Sequence, residues 1–196
     1  MITDSVTRRG GVGCIVFYNH PVLPLVIWGA LAVWLIFSGV QHAGLAWFSV
    51  VAHAVGALVG WTFFEYLLHR FIFYPPVDRG RWVRFAHAIH GKHHDDPDNL
   101  SFTLVLPLGA LLILLPLTGI FWLLMKPAML PIFTGFFLIG YLAYEYVNLS
   151  FHHWRMPTRW TRALQRRHLA HHHRDERIWF GVTSPFWDWI FSTRVN

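Results

Sequence analysis

FTLVLPLGALLILLPLTGIFWLLM, from Phe102 to Met125, contains no charged residue. An apolar helix of ~20 residues crosses the hydrocarbon core of a bilayer, and this run is long enough. It has three companions, residues 22–40, 44–64 and 128–149, the last interrupted only by Glu145. Composition agrees: 55% of residues are hydrophobic and 13% charged, where soluble domains average ~25% charged. Four such runs in 196 residues leave too little polar surface for a soluble protein. The expected fold is therefore all-α and integral to the membrane, a single domain over residues 1–196. Short connections around Gln41-His42-Ala43 and Lys126-Pro127 predict four transmembrane helices in two hairpins.

The charges orient the spans. Of 16 Lys and Arg residues, Lys126 alone falls between spans three and four. Arg8 and Arg9 precede span one. Arg70, Arg79, Arg81, Arg84 and Lys92 lie between spans two and three, and the arginines from Arg155 to Arg194 follow span four. Positive residues stay on the cytoplasmic side, so the chain is expected to be multi-pass with both termini cytoplasmic. The net charge of +6 follows from this asymmetry and suits anionic lipid headgroups; no nucleic-acid partner is implied. The apolar run of span one is longer than a signal-peptide core, so it reads as a retained span. Residues 1–20 form a Gly-rich lead without clear structure, and the lone Cys14 excludes an internal disulfide.

Two histidine runs stand on the expected cytoplasmic face. They are His90-Gly91-Lys92-His93-His94 and His168-Leu169-Ala170-His171-His172, each reading HxxHH. Residues three and four apart share a helix face, so each run points three imidazoles one way. Six nitrogen donors exceed the need of one tetrahedral zinc ion and suit two transition metals. After a break at Pro75-Pro76, a helix over 81–94 places His87 in the same arc as His90, His93 and His94. A helix over 157–173 puts Arg159, Arg162 and Arg166 opposite His168, His171 and His172, with His173 off that face. These two helices form a cytoplasmic cap carrying the histidine clusters. Asp95-Asp96-Pro97-Asp98-Asn99 closes the first with turn chemistry.

Glu65 and His69 are four apart, which sets the Glu65 carboxylate to accept a proton from that or another imidazole. Glu145, Asn148 and His152 share a face at the end of span four, with His153 beside them. His53, mid-span, is expected to be a neutral packing residue with its own hydrogen bond. The Trp- and Phe-rich stretch 178–191 is too short to span and reads as an interfacial lid. HExxH, CxxC and GxGxxG are absent, which argues against a peptidase, a structural zinc site or a bound dinucleotide. A histidine-bound metal pair at a membrane surface suggests dioxygen activation at iron, with lipid as substrate.

The motifs Glu65 to Phe71, His87 to His94, Gly140 to His153, His168 to His172 and Gly181 to Asp188 resemble those of the integral-membrane fatty acid hydroxylase superfamily. That superfamily includes sterol desaturases and C4-methyl sterol oxidases, and the likeness is to its fatty acid 2-hydroxylases, over residues 61–194. The resemblance implies two iron ions, replaceable by zinc in purified protein, with O2 as co-substrate. It implies hydroxylation of a fatty acid or sphingolipid acyl chain next to the carbonyl. Carried over by motif, the metal ligands are His69, His90, His93, His94, His152, His168, His171 and His172. Two positions depart from the ten-histidine pattern: Tyr74 and Asn148 stand where it has histidines. His87, His153 and His173 are the available substitutes, and Asn148 could reach a metal through water. Because some eukaryotic relatives fuse a haem-binding cytochrome domain that has no counterpart here, a separate electron donor of cytochrome or ferredoxin type is expected. A sterol or carotenoid oxidase or a desaturase would use the same metal core. The two departures also fit a non-catalytic membrane protein with a degenerate site.

Overall fold

Proline starts the first membrane helix. α1 (Val22–Ala43) follows Pro21 and carries Pro24 in its first turn, where a missing N–H breaks no intrahelical bond. It stops at Gly44, whose φ of 56° places it in the left-handed region that glycine adopts without steric cost. The computed structural model describes residues 20–44, 46–74 and 80–194. The N-terminal lead with Arg8, Arg9 and Cys14, and the Pro75-Pro76 break, lie outside the described residues.

Among the described residues, all regular structure is helical. α2 (Trp47–Leu67) runs on through a π-helical turn, Leu68–Phe73. α3 (Gly80–Ala86), a second π turn (His87–Gly91) and α4 (Lys92–Asp95) follow one another without a gap. After the short α5 (Leu100–Thr103) come α6 (Pro107–Leu124) and α7 (Leu130–His153). Among the described residues, four helices are long and apolar enough to cross a membrane: Val22–His42, Trp47–Phe73, Pro107–Leu124 and Leu130–His153. The third begins at Pro107, later than the apolar run suggests. Residues 103–105 turn inward instead, and the Val105 amide donates to the Glu145 carboxylate at 2.9 Å. Spans two and four run further than apolarity alone suggests and carry His69 and His152 out on continuous helix.

Packing does not follow the first expected hairpin, whereas α6 does meet α7, with Phe121 5.0 Å from Phe133 and from Phe137. The consecutive spans are joined by short connections, yet α1 and α2 both lie along α7 and barely meet each other. The cause is legible in small residues. Without water to drive association, membrane helices hold together where their backbones approach closely. At Gly135 of α7 a Cβ would sit 2.9 Å from the Ala32 carbonyl and 2.6 Å from Ile36 of α1; at Gly140 it would sit 2.6 Å from Trp61 of α2. α6 is largely exposed to the bilayer and touches α7 only sparsely. Trp61 fills the centre of the bundle, its ring 5.2 Å from Phe137 and 5.5 Å from Tyr141 in edge-on contact. His53 gives its Nδ1 to the Ser49 carbonyl at 2.6 Å, as expected of a packing histidine.

α8 (Arg159–His173) crosses the end of the bundle, started by Thr158 and Thr161 in a reciprocal capping box. The chain then returns to α2 as a strap, residues 178–193, containing α9 (Phe186–Ile190). Trp187 Nε1 donates to Thr62 Oγ1 at 3.0 Å and the Trp187 ring lies against Phe63.

Candidate metal centre

The two π turns carry His69 and His90, and they set the register of the site. A π turn admits one extra residue, rotating whatever follows by ~100° relative to an α-helix. This corrects the expectation for His87. It swings out of the arc to the surface, where its Nε2 meets Asp95 at 2.7 Å. His90 and His93 remain inside, 3% and 1% exposed.

The eight motif histidines gather into two quartets. His93, His152, His168 and His172, from α4, α7 and α8, bring four ring nitrogens within 4.8 Å of one another. His69, His90, His94 and His171 pack beside them as a second quartet, with ring centroids 4.8 Å apart for His69–His90, 4.9 Å for His90–His94 and 5.1 Å for His94–His171; among the described residues only the first quartet brings a donor nitrogen from every ring within 4.8 Å of the others.

The donor set fits metal cations. His69 Nδ1 donates to the Glu65 carbonyl at 3.1 Å, and His171 Nδ1 to the Ile178 carbonyl at 2.7 Å. A carbonyl only accepts, so both rings keep the lone pair on Nε2, the arrangement by which protein groups orient metal-binding histidines. His171 Nε2, His93 Nδ1, His168 Nδ1 and both nitrogens of His172 are buried without a hydrogen-bond partner. Such orphans cost ~1–3 kcal/mol each unless something satisfies them. Nitrogens also face nitrogens: His152 Nε2 and His168 Nε2 are 2.8 Å apart, His90 Nε2 and His94 Nε2 3.2 Å. Burial, helped by the neighbouring imidazoles, lowers His93 from 6.5 to about 3 and His94 to about 2. Burial brings His171 down to about 4. The same causes push His90, His168 and His172 well below the ordinary histidine range. These imidazoles are neutral at physiological pH, the state in which they bind metal.

The departures from the ten-histidine pattern fall one to each quartet. Tyr74 stands edge-on to His94 and His171, 5.3 Å from each, with its hydroxyl buried and unpartnered. Asn148 places Nδ2 3.4 Å from His93 Nε2 and donates to the Thr103 carbonyl at 3.2 Å. His153 and His173 lie outside both quartets, on the wall of a cavity of about 430 Å³ shared with Asp98, Arg155 and Gln165. Glu145 serves the Val105 amide rather than an imidazole.

Glu65 also departs from expectation. Its carboxylate accepts the Val182 and Thr183 amides at 2.5 and 2.8 Å and the Thr183 hydroxyl at 2.5 Å; His69 is served by its backbone carbonyl. Backbone groups of the strap thus enter the site through Ile178, Val182 and Thr183. Sequence reasoning misses these because a main-chain amide or carbonyl leaves no residue-type signal. Tyr144 is a further omission, its hydroxyl 3.5 Å from His69 Nε2.

A model of the fatty acid hydroxylase family matches residues 54–193. The chain belongs to this family. It is similar to the dihydroceramide fatty acyl 2-hydroxylase FAH1 of Arabidopsis thaliana, 35% identical over 170 residues, covering 86% of this chain and 70% of that protein. The fatty acid 2-hydroxylase of Homo sapiens is 31% identical over 143 residues, covering 68% of this chain and 37% of that protein. Among solved structures, full-length Scs7p, with its hydroxylase domain visible, superposes with a TM-score of 0.82 at 25% identity, covering 90% of this chain and 67% of that one.

Proposed function

We propose that this membrane protein hydroxylates a lipid acyl chain at the carbon next to the carbonyl, using two iron ions, O2 and electrons from a separate carrier protein. The observation that carries the reading is the pair of histidine quartets at the end of an apolar bundle, in a chain of the fatty acid hydroxylase family. His93, His152, His168 and His172 would hold one ion, and His69, His90, His94 and His171 the other. The ions supply O2 activation when bound.

The chain's own residues do the rest. Below the second quartet, Tyr144, Trp61, Tyr141 and Phe137 form an aromatic wall that keeps water from the membrane side. A cavity of about 300 Å³ between α1, α6 and α7, lined by Trp28, Leu114, Phe121 and Phe137, offers an acyl tail an apolar bed. The positive-inside asymmetry supports a cytoplasmic metal site and cytoplasmic termini, where a soluble donor of cytochrome or ferredoxin type has access. The dihydroceramide and fatty acid 2-hydroxylases among the relatives support a sphingolipid or fatty acid substrate.

The test is metal content and product together. Protein purified anaerobically in detergent after iron-replete growth should carry about two metals per chain, lost in the His171→Ala/His172→Ala variant. Lipids of expressing cells should gain one oxygen atom at the second acyl carbon. Loss of two hydrogens instead would identify a desaturase. Absence of metal from well-folded protein would leave only a scaffold.

A further inference from the structure

We infer that the Glu65 carboxylate is a positioning group that orients His171 of the second quartet through the strap of residues 178–193, next to the point where the main chain of the same residue holds His69. This rests on the reading of the quartet as a metal site and adds to it a coupling between the membrane helix and the strap.

The argument begins with a buried carboxylate. Glu65 is 1% exposed, and a carboxylate taken out of water persists only where its lone pairs are used. Oε1 takes the Val182 and Thr183 amides, and Oε2 takes the Thr183 hydroxyl. These three partners all belong to the strap, and none is an imidazole or a basic side chain. A second buried carboxylate, Asp188, closes the same loop from the other side, accepting the Phe180 and Gly181 amides at 2.9 Å each and the Thr193 hydroxyl at 2.7 Å. Between these clamps a Cβ on Gly181 would lie 2.1 Å from the Ser184 carbonyl, so the loop accepts no side chain there.

The loop's upstream end is the part that reaches the site. Trp179 has φ of 55°, a left-handed conformation rare for a bulky residue and kept only where surroundings impose it. Its amide donates to the Thr193 carbonyl at 3.0 Å, and Arg167 sits 4.9 Å from its ring centroid. That turn aims the Ile178 carbonyl at His171 Nδ1, 2.7 Å away. Meanwhile the backbone carbonyl of Glu65 accepts from His69 Nδ1 on α2. The main chain at residue 65 thus fixes the tautomer of His69 whatever its side chain, while the Glu65 carboxylate, through the strap, bears on His171, whose ring lies 6.1 Å from that of His69. A clamp that merely tied the strap down would have no reason to end on a ligand histidine.

The test compares Glu65→Ala, Glu65→Gln and Thr183→Val with wild type and with His171→Ala. Glutamine reproduces the clamp: its Oε1 accepts both amides, and the Thr183 hydroxyl reverses to accept from Nε2. Glu65→Ala should bind the second metal ~10–100-fold more weakly, the usual effect of removing a group that orients a ligand, with the first quartet's metal retained, as in His171→Ala. Glu65→Gln should hold both metals. Thr183→Val, which removes one donor and is expected to fold even if Glu65→Ala does not, should weaken the second metal by a smaller factor. A second readout needs no metal. In 15N-histidine spectra of metal-free protein, His171 should be protonated at Nδ1 in wild type and Glu65→Gln and lose that preference in Glu65→Ala. If wild type binds no metal, the metal-site reading fails while this spectrum still decides the positioning role. Wild-type metal content and an unchanged His171 tautomer in a folded Glu65→Ala protein would overturn the inference. So would equal loss of both metals, or failure of Glu65→Gln to restore either readout.

Discussion

His94 and His172 stack ring on ring, centroids 3.8 Å apart and 7° from parallel, and this is the tightest ring contact between the two quartets. Each ring belongs to a different quartet, so neither quartet is independent of the other. His172→Ala should remove the metal of the first quartet outright. It should also weaken the second by roughly tenfold, because His94 loses the plane it packs against. His168→Ala, on the far side of the first quartet, should remove that metal with little effect on the second. Metal analysis with zinc titration of the chelated proteins in detergent separates the two patterns; equal effects of both variants on the second metal would refute the coupling.

Tyr74 makes a sharper case. Its hydroxyl is buried and unpartnered, and its ring stands edge-on to both His94 and His171. Burial, with Glu176 and Asp95 nearby, pushes its ionisation above the usual phenol range, so in the metal-free protein it is a neutral phenol and a poor ligand. Tyr74→His should supply a further neutral imidazole and tighten the second metal by about tenfold or more. Tyr74→Phe should leave metal affinity within a few-fold of wild type. Zinc affinity of the three proteins decides; a large loss in Tyr74→Phe would make the hydroxyl a ligand in its own right.

The apolar runs and the HxxHH spacing reveal the membrane helices and the imidazoles of the two runs by elementary rules, because hydrophobic length and helical periodicity are properties of residue type. His69 and His152 stand apart from those runs, at the ends of spans; its place at the histidine-rich membrane face makes His69 a metal-site candidate, and the family likeness adds His152. What stays hidden has physical causes. The π turns shift register by one residue without a sequence mark, which is why helical periodicity places His87 inside although it lies against Asp95. The hub role of α7 depends on Gly135 and Gly140 meeting particular partners, and connection length says nothing about that. The strap acts through Ile178, Val182 and Thr183 backbone groups, which carry no residue-type signature.

The hub makes its own demand. At Gly135 the neighbours within reach include the Ala32 carbonyl and the Ile36 backbone nitrogen, which cannot rotate aside as a side-chain tip can. Gly135→Ala should therefore push α1 from α7 and destabilise the protein by ~1–3 kcal/mol, the range for overpacking a filled interior. At Gly119 on α6 an added methyl group would meet nothing within 4 Å, so Gly119→Ala should be tolerated without loss. Thermal unfolding in one detergent compares them, and equal melting temperatures would show that α1 and α7 are less closely fitted than the glycine implies.

Acid should destabilise the folded protein through the buried histidines of the quartets. His93, His94 and His171 titrate at about 3, 2 and 4 in the folded protein, against ~6.5 in an unfolded chain. Above pH ~6.5 both states are neutral at these rings and they contribute nothing to the pH dependence. As pH falls below that value the unfolded chain takes up protons that the folded chain refuses, so stability falls. Each such histidine contributes a slope approaching ~1.4 kcal/mol per pH unit. With metal bound the loss begins lower, since the proton must first displace the ion from the same nitrogen. Melting curves of chelated and metal-loaded protein from about pH 8 to pH 5 (roughly the window in which free histidine titrates) should therefore diverge on the acid side. The chelated form should fall away first, and metal should be released over the same range in which the loaded curve bends. A chelated protein equally stable at both ends of that window would mean that the imidazoles accept protons in place, and that the quartets open without unfolding.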